Sequence, residues 1–345
     1  MNKMLSSSRW GGLLAGCLLF LLSPAFAEPY LAVQKGLQCS ACHSHPGGGG
    51  KRNAYGNAFG QLELPVVRIG DADVWTGDIT KWLAVGGNLR GSLEAIDTPN
   101  RDDNSEFRVT RGTMYMEATL IPGRLSVYVD QQFAPDASQN REAYVRINSK
   151  SGRIFGAAGQ FYLPFGLRLQ DDTAFVRLAS AINFTNPDRG LQLGYEAGPW
   201  STIVAVTNGS GGGRETDSGK QFSLITNFVR GGWRVGASAN FNNADAGDRT
   251  MFGMFGGVRT GPIAWLAEID RISDDLPSGV TQHAIAGLLE ANWLIRKGHN
   301  LKLSHEYLDP DDDLSEDHQV RNSLVWEYTP CLLYTSDAAD DTSEV

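Results

Sequence analysis

The chain has 345 residues, 41% apolar and 20% charged, enough for one large domain and too apolar for a disordered one. A mean hydropathy of −0.25 excludes a polytopic helical membrane protein but not a β-barrel, in which only alternate side chains meet lipid. Thirty bases against 39 acids give a net charge of −9, which argues against a general nucleic-acid binder, and 40 glycines against 14 prolines suit a turn-rich β protein.

Lys3 and Arg9 precede an apolar run from Leu13 to Leu22, and Ala25-Phe26-Ala27 follows as a small-x-small cleavage site. Residues 1–27 are therefore expected to be a secretory signal peptide, too short to span a bilayer as a helix, with the mature chain starting near Glu28. Leu14-Ala15-Gly16-Cys17 has the look of a lipoprotein box but stands too early in the segment.

Cys17 leaves with that signal, and Cys331 belongs to a suspect tail, so Cys39 and Cys42 remain, in Cys39-Ser40-Ala41-Cys42-His43. In an exported chain this spacing reads as covalent c-type haem attachment. Two thiols one turn apart add to the two vinyl groups, and the imidazole of His43 becomes the axial iron ligand. A thioredoxin-like pair lacks its βαβ surroundings, a zinc site lacks ligands beyond His45, and a short disulfide is the remaining rival. The sixth ligand stays open. His45 is too close to His43 to cross the ring, and Met114, Met116, His283, His299, His305 and His318 are distant wall or surface residues, so five-coordinate, water-ligated and barrel-ligated iron are all compatible with the sequence.

From Lys81 onward, short alternating segments rich in Val, Thr, Phe, Tyr and Trp repeat between turn residues. Strands are expected at 81–96, 106–120, 124–134, 141–149, 153–163, 189–197, 199–208, 220–230, 232–243, 249–259, 262–271, 279–293, 300–307 and 318–329. Every second connection is tight, as at Ile121-Pro122-Gly123, Ser149 to Gly152, Gly198-Pro199, Arg230 to Gly232, Thr260 to Pro262 and Arg296 to Gly298. The others are long, and 164–188 is long enough either to fold into the mouth or to stay on the surface. Short turns alternating with long loops are the habit of outer-membrane barrels. The expected class is therefore all-β: a transmembrane antiparallel β-barrel with 14 strands visible and sixteen in the intact protein, with a short helical haem segment in or under its lumen. Leu125, Val127, Val129 and Phe133 fall on a lipid face, and Ser126, Tyr128, Asp130 and Gln132 on a lumen face. Arg146, Glu268, Lys302, Glu306, Arg321 and Glu327 are expected in the lumen too. The long loops are acidic, whereas the tight turns and their borders carry Arg124, Lys150, Arg153, Arg230, Arg259, Arg296 and Lys297.

The last segment, Cys331-Leu332-Leu333-Tyr334-Thr335-Ser336-Asp337-Ala338-Ala339-Asp340-Asp341, resembles a translated transposon-end sequencing adapter. Residues 331–345 are accordingly expected to be an artefact, and the organisation to be a signal at 1–27, a monohaem segment at 28–75 and a truncated porin-like barrel at 80–330. A haem segment so short has no private core, so its cofactor needs shelter from the barrel.

Gly36-Leu37-Gln38-Cys39-Ser40-Ala41-Cys42-His43, followed by Tyr55-Gly56-Asn57-Ala58-Phe59-Gly60 and a porin-like barrel, resembles the fused monohaem cytochrome-porin proteins of iron-oxidising bacteria. The glycine run Gly47 to Gly50 departs from that pattern. The resemblance implies one haem c within or under an outer-membrane barrel, and electrons passing from extracellular Fe(II) to a periplasmic carrier such as a soluble cytochrome. It also implies an electron-transfer protein with Fe(II) oxidase activity, with outer-membrane lipid and an extracellular metal donor as its other partners. Hard carboxylates on the outer loops suit weak Fe(II) recruitment, foremost at Asp309, Asp311, Asp312 and Asp313, although acidic outer loops also arise simply from facing water. Two other readings stand beside this one: a solute-conducting porin with a structural or sensory haem, and a haem peroxidase, for which no distal base is evident near the motif. Oligomeric state is not legible.

Overall fold

A computed structural model describes residues 28–67, 74–96, 104–135, 137–184, 186–314, 316–331 and 334–338. Residues 1–27, expected to be a signal peptide, therefore lie outside the described residues, as do Asp102 and Asp103, between the strands expected at 81–96 and 106–120.

Among the described residues three α-helices accompany sixteen strands: α1 (Pro29–Lys35), α2 (Ala54–Leu62) and α3 (Phe175–Ser180). The strands form one antiparallel sheet in sequence order. It begins with β1 (Asp78–Thr80), β2 (Leu83–Ile96), β3 (Asn104–Ile121), β4 (Leu125–Ala134), β5 (Gln139–Asn148), β6 (Ile154–Tyr162), β7 (Pro187–Ala197) and β8 (Trp200–Thr207). It continues with β9 (Gln221–Arg230), β10 (Trp233–Asn242), β11 (Arg249–Thr260), β12 (Ile263–Asp275), β13 (Thr281–Arg296), β14 (His299–Asp309), β15 (Gln319–Cys331) and β16 (Tyr334–Ala338). The fourteen strands expected from alternation are β2 to β15. β1 was not legible, being three residues with one apolar side chain. β16 falls within the tail read as adapter and pairs with β15 from Cys331↔Tyr334 to Trp326↔Ala338. Among the described residues no ladder joins β1 to β16.

β12 shows why the sheet has two faces. Ala264, Leu266, Glu268, Asp270 and Ile272 are buried on its inner side, while Trp265 and Ile269 are exposed on the other, as the two-residue period of a strand requires. Leu191, Leu193, Trp233, Val235, Met254, Leu303 and Leu324 continue the outward apolar surface around the sheet. Such a surface is a lipid-facing wall rather than a water-facing one. Trp82, Trp200, Trp233, Trp265, Trp293 and Trp326 are all exposed outward, and all stand within a few residues of a tight turn. These six tryptophans, out of eight in the chain, form a girdle at one interface.

The inner side is filled from both ends. The connection after β6 folds inward: Leu167, Leu169 and Val176 are buried against Phe155, Leu266 and Leu288 of the wall, and Leu163, Phe165 and Ile182 against Met251 and Ile272. Arg177 of α3 is buried with Glu268 and with Asp270 at 3.7 Å, Phe175 N donates to Glu306 at 2.7 Å, and Arg111 and Arg321 pair with Asp172 and Asp171 at 2.6 and 2.8 Å. Gly166 is required there, because a Cβ would stand 1.9 Å from Glu268 Oε1.

Candidate functional site

From the tight-turn end, residues 28–67 enter the same interior. α1 packs against β11 and β12, and Pro29 starts it with the fixed φ that suits a first helical turn. Gly36 ends α1 in the left-handed region, at φ 65°, close against Gly231 and Gly232 of the β9–β10 turn. Gln34 donates to the Pro262 carbonyl at 2.9 Å and Gln38 to that of Pro199 at 2.7 Å, while Lys297 reaches the Leu62 carbonyl at 2.7 Å. On the opposite wall Ser44 donates to Glu117 at 2.7 Å and Lys51 N to the Tyr128 hydroxyl at 2.9 Å. Tyr30 donates to Glu327 of β15 at 2.9 Å. One short segment thus touches strands from β3 to β15, which is possible only because the sheet curls around it.

The cysteine motif is a single tight turn locked onto α2. Cys39–Ala41 form a 3₁₀ turn, and the Cys42 and His43 amides both donate to the Cys39 carbonyl, at 3.2 and 3.1 Å. Asn53 caps α2 by accepting from Gly56 N at 2.9 Å, and its amide donates to the Ser40 and Ala41 carbonyls at 3.1 Å each. α2 lies so close to the motif that a Cβ on Gly56 would be 2.1 Å from the Cys42 carbonyl oxygen. The glycine run has a comparable reason. Gly48, Gly49 and Gly50 all have positive φ, and they thread between Cys39, Phe184 and the Tyr128 hydroxyl.

Both thiols are free, and Cys39, Cys42 and His43 line one cavity. About 1060 Å³ of space, part of it open to solvent, lies between its walls. Leu31, Phe59, Leu64, Phe165, Leu167, Ile203 and Ile225 supply apolar surface, and Lys35, Arg52, Arg168 and Arg234 supply four cations against the single carboxylate of Glu28. Arg234 Nε and Asn227 Oδ1 line the cavity, buried and without a hydrogen-bond partner. Arg168 comes from the inward-folded connection and donates to the Gly48 carbonyl at 2.7 Å; Arg234 reaches Cys39 Sγ at 3.6 Å. A flat, mostly apolar group carrying two carboxylates, bonded through two thioethers, fits this lining in polarity and charge.

Burial, with Arg52 and Arg168 nearby, holds the His43 imidazole neutral against the opposing pull of the Gly49 and Gly50 carbonyls, with a pKa lowered to about 3. A neutral imidazole is the form that ligates iron. His45 does not line the cavity. Burial, Arg168 and Arg146 hold its pKa well below the ordinary value, and it packs edge-on to Tyr144, with Nε2 3.9 Å from Glu142 Oε1. Met114 and Met116 face outward and are exposed, and His299 stacks on Trp326 and Tyr328. Among the described residues no second histidine and no methionine lines the cavity.

The acidic loop residues lie at the other end. The Asp311, Asp312 and Asp313 carboxylates fall within 4.8 Å of one another, Asp312 pairs with Arg271 at 3.2 Å, and Asp309 accepts from the Tyr307 hydroxyl at 3.1 Å. The eleven residues of β14 separate this loop from the turns, on the order of 30 Å at about 3.3 Å per residue.

No family model matches the sequence, and no curated protein matches it. Solved structures do match in fold. Outer-membrane expressed OmpT of Vibrio cholerae is 13% identical and superposes with a TM-score of 0.52 over 72% of this chain and 83% of its own. The anion-selective porin from Comamonas acidovorans is 9% identical, with a TM-score of 0.57 over 71% and 83%. OmpF of Salmonella typhi, in its complex with daunomycin, is 10% identical, with a TM-score of 0.52 over 71% and 85%. The chain thus has the porin-like fold of outer-membrane barrels. The cysteine-bearing segment is lodged in the interior of that barrel.

Proposed function

We propose that the protein is an outer-membrane electron conduit: a c-type haem bonded to Cys39 and Cys42 and ligated by His43, carried inside a porin-like barrel and taking electrons from an extracellular donor such as Fe(II) to a periplasmic carrier. The observation that carries this reading is that both thiols and the imidazole line one cavity whose other walls are shared between residues 28–67 and Phe165, Arg168, Ile203, Ile225 and Arg234 of the barrel and its inward connection. Such a group supplies one-electron chemistry when bound. The protein does the rest. Asn53 and Gly56 hold the two thiols and His43 in one fixed turn, and Phe165, Leu167, Ile203 and Ile225 exclude water. Arg52, Arg168 and Arg234 offset buried negative charge. Asp309, Asp311, Asp312 and Asp313 at the far rim attract divalent cations weakly, through hard oxygen ligands.

An interior filled by residues 28–67 and by the 164–186 connection counts against the alternative of a solute-conducting porin with a structural or sensory haem. The test is spectral. Purified protein, matured with its haem and mixed with ferrous iron without oxygen, should develop the reduced α-band. A haem-loaded protein that stays oxidised with ferrous iron at neutral pH refutes the iron version of this reading.

A further inference from the structure

Lys150, Arg153, Arg230, Arg259, Arg296 and Lys297 are exposed, and all stand in or beside tight turns at one end of the sheet. The six tight turns of β3 to β14 contain no Asp or Glu. Most described acids near this end are already paired: Glu63 with Lys35 at 3.3 Å, Glu117 with Lys51 at 3.1 Å, and Glu327 and Glu28 with Lys302 at 3.2 and 3.9 Å, while Glu196 accepts from Ser201 and Asp78 and Asp337 lie in β1 and β16. The tryptophan girdle lies just inside these turns, which places the cations beyond the lipid-facing wall.

The same end holds the cysteine motif. Ser201, Asn227 and Arg234, which line the cavity, lie two or three residues from the turns at Pro199, Arg230 and Gly232, within about 10 Å along the strands. Gln38 donates to the Pro199 carbonyl in one of those turns, and Gln34 to the Pro262 carbonyl in the β11–β12 turn. A ring of positive charge therefore surrounds the mouth nearest the redox site, while the opposite rim carries the aspartates of the β14–β15 loop.

We propose that this basic rim is a docking surface for a soluble redox protein with an acidic face; the inference rests on the electron-conduit reading and adds the charge of the partner. Opposite charge around two redox centres steers encounter and orients it, raising association rates by about 10–1,000-fold at low salt. With a haem held by Cys39, Cys42 and His43, the transfer would pass one electron from the reduced protein to the oxidised partner, with no bond made or broken.

Two probes isolate charge from everything else: a basic c-type cytochrome and the same protein succinylated on its lysines, hence acidic. The reduced, haem-loaded protein is mixed with each ferric probe in stopped flow. The acidic probe should react at least tenfold faster at low ionic strength, and the advantage should vanish at about 0.5 M salt, where the Debye length falls toward a few ångströms. K150E/R153E/R230E, with haem absorbance and sheet circular dichroism unchanged, should invert the preference. If that variant does not fold, the comparison of probes and its salt dependence on the unaltered protein decide alone. Equal rates for the two probes, or a preference for the basic one, overturns the proposal and leaves the rim to lipid headgroups. Failure of the conduit reading looks different: no haem absorbance, and no transfer to either probe at any salt.

Discussion

Replacing Gly56 with alanine sets two effects of known sign against each other. In an exposed helix interior the change would stabilise by about 1 kcal/mol, since glycine is a poor helix former. Here the added methyl carbon would stand 2.1 Å from the Cys42 carbonyl oxygen and 2.9 Å from its carbon, both backbone atoms that no rotamer change can move aside. Overpacking costs about 1–3 kcal/mol and more where the neighbour cannot yield. The clash should win, with α2 displaced from the Cys39–His43 turn and a net loss of about 1–2 kcal/mol, equivalent to roughly 5–30-fold in a local opening equilibrium. Hydrogen exchange of residues 39–62 in the purified variant reads this directly, and G156A is the control, because its φ is not positive and the nearest atom to an added Cβ, the Gln192 carbonyl oxygen, is 3.9 Å away. Exchange as slow as in the unaltered protein, together with unchanged haem content, would refute the claim that the motif is built on close contact with α2.

Further outcomes follow from other contacts. Arg177→Met leaves Glu268 and Asp270 buried without their cation and should cost about 3–5 kcal/mol, seen as a lower urea midpoint and protease cleavage within 164–186. Asn53→Ala removes a helix cap and two carbonyl contacts; about 1 kcal/mol of segment stability should go with the cap, and haem incorporation should fall relative to sheet content. D311N/D312N/D313N should slow reduction by ferrous iron a few-fold at low salt and leave it unchanged at high salt, as expected of weak attraction at an exposed rim. In planar bilayers the intact protein should show little steady conductance, and an open-pore conductance would mean that residues 28–67 do not stay lodged in the interior.

The wall was legible in the sequence because strand alternation and tight turns are local signals: Leu125 to Phe133 already separates its two faces, and β2 to β15 follow the same rule. β1 was missed because three residues cannot display a period. The cysteine motif was legible for the same local reason. Its pocket was not, since Ile203, Ile225 and Arg234 lie more than 150 residues away and nothing local pairs them with Cys39. The inward course of 164–186 was equally hidden: Phe165, Leu167 and Val176 carry no strand period, and their apolar partners on the wall and the charges awaiting Arg177, Asp171 and Asp172 come from distant strands. The tryptophan girdle was present in the sequence as six tryptophans beside tight turns, a pattern recognisable only once the turns are aligned along one edge.

The central claim is that this barrel carries a covalently bonded haem at Cys39 and Cys42. Protein matured in a host equipped for c-type haem attachment, purified in detergent and assayed as its pyridine haemochrome, should contain one haem per chain, retained through acid-acetone extraction and lost in C39A/C42A. A blank spectrum from folded, heat-modifiable barrel would contradict the account.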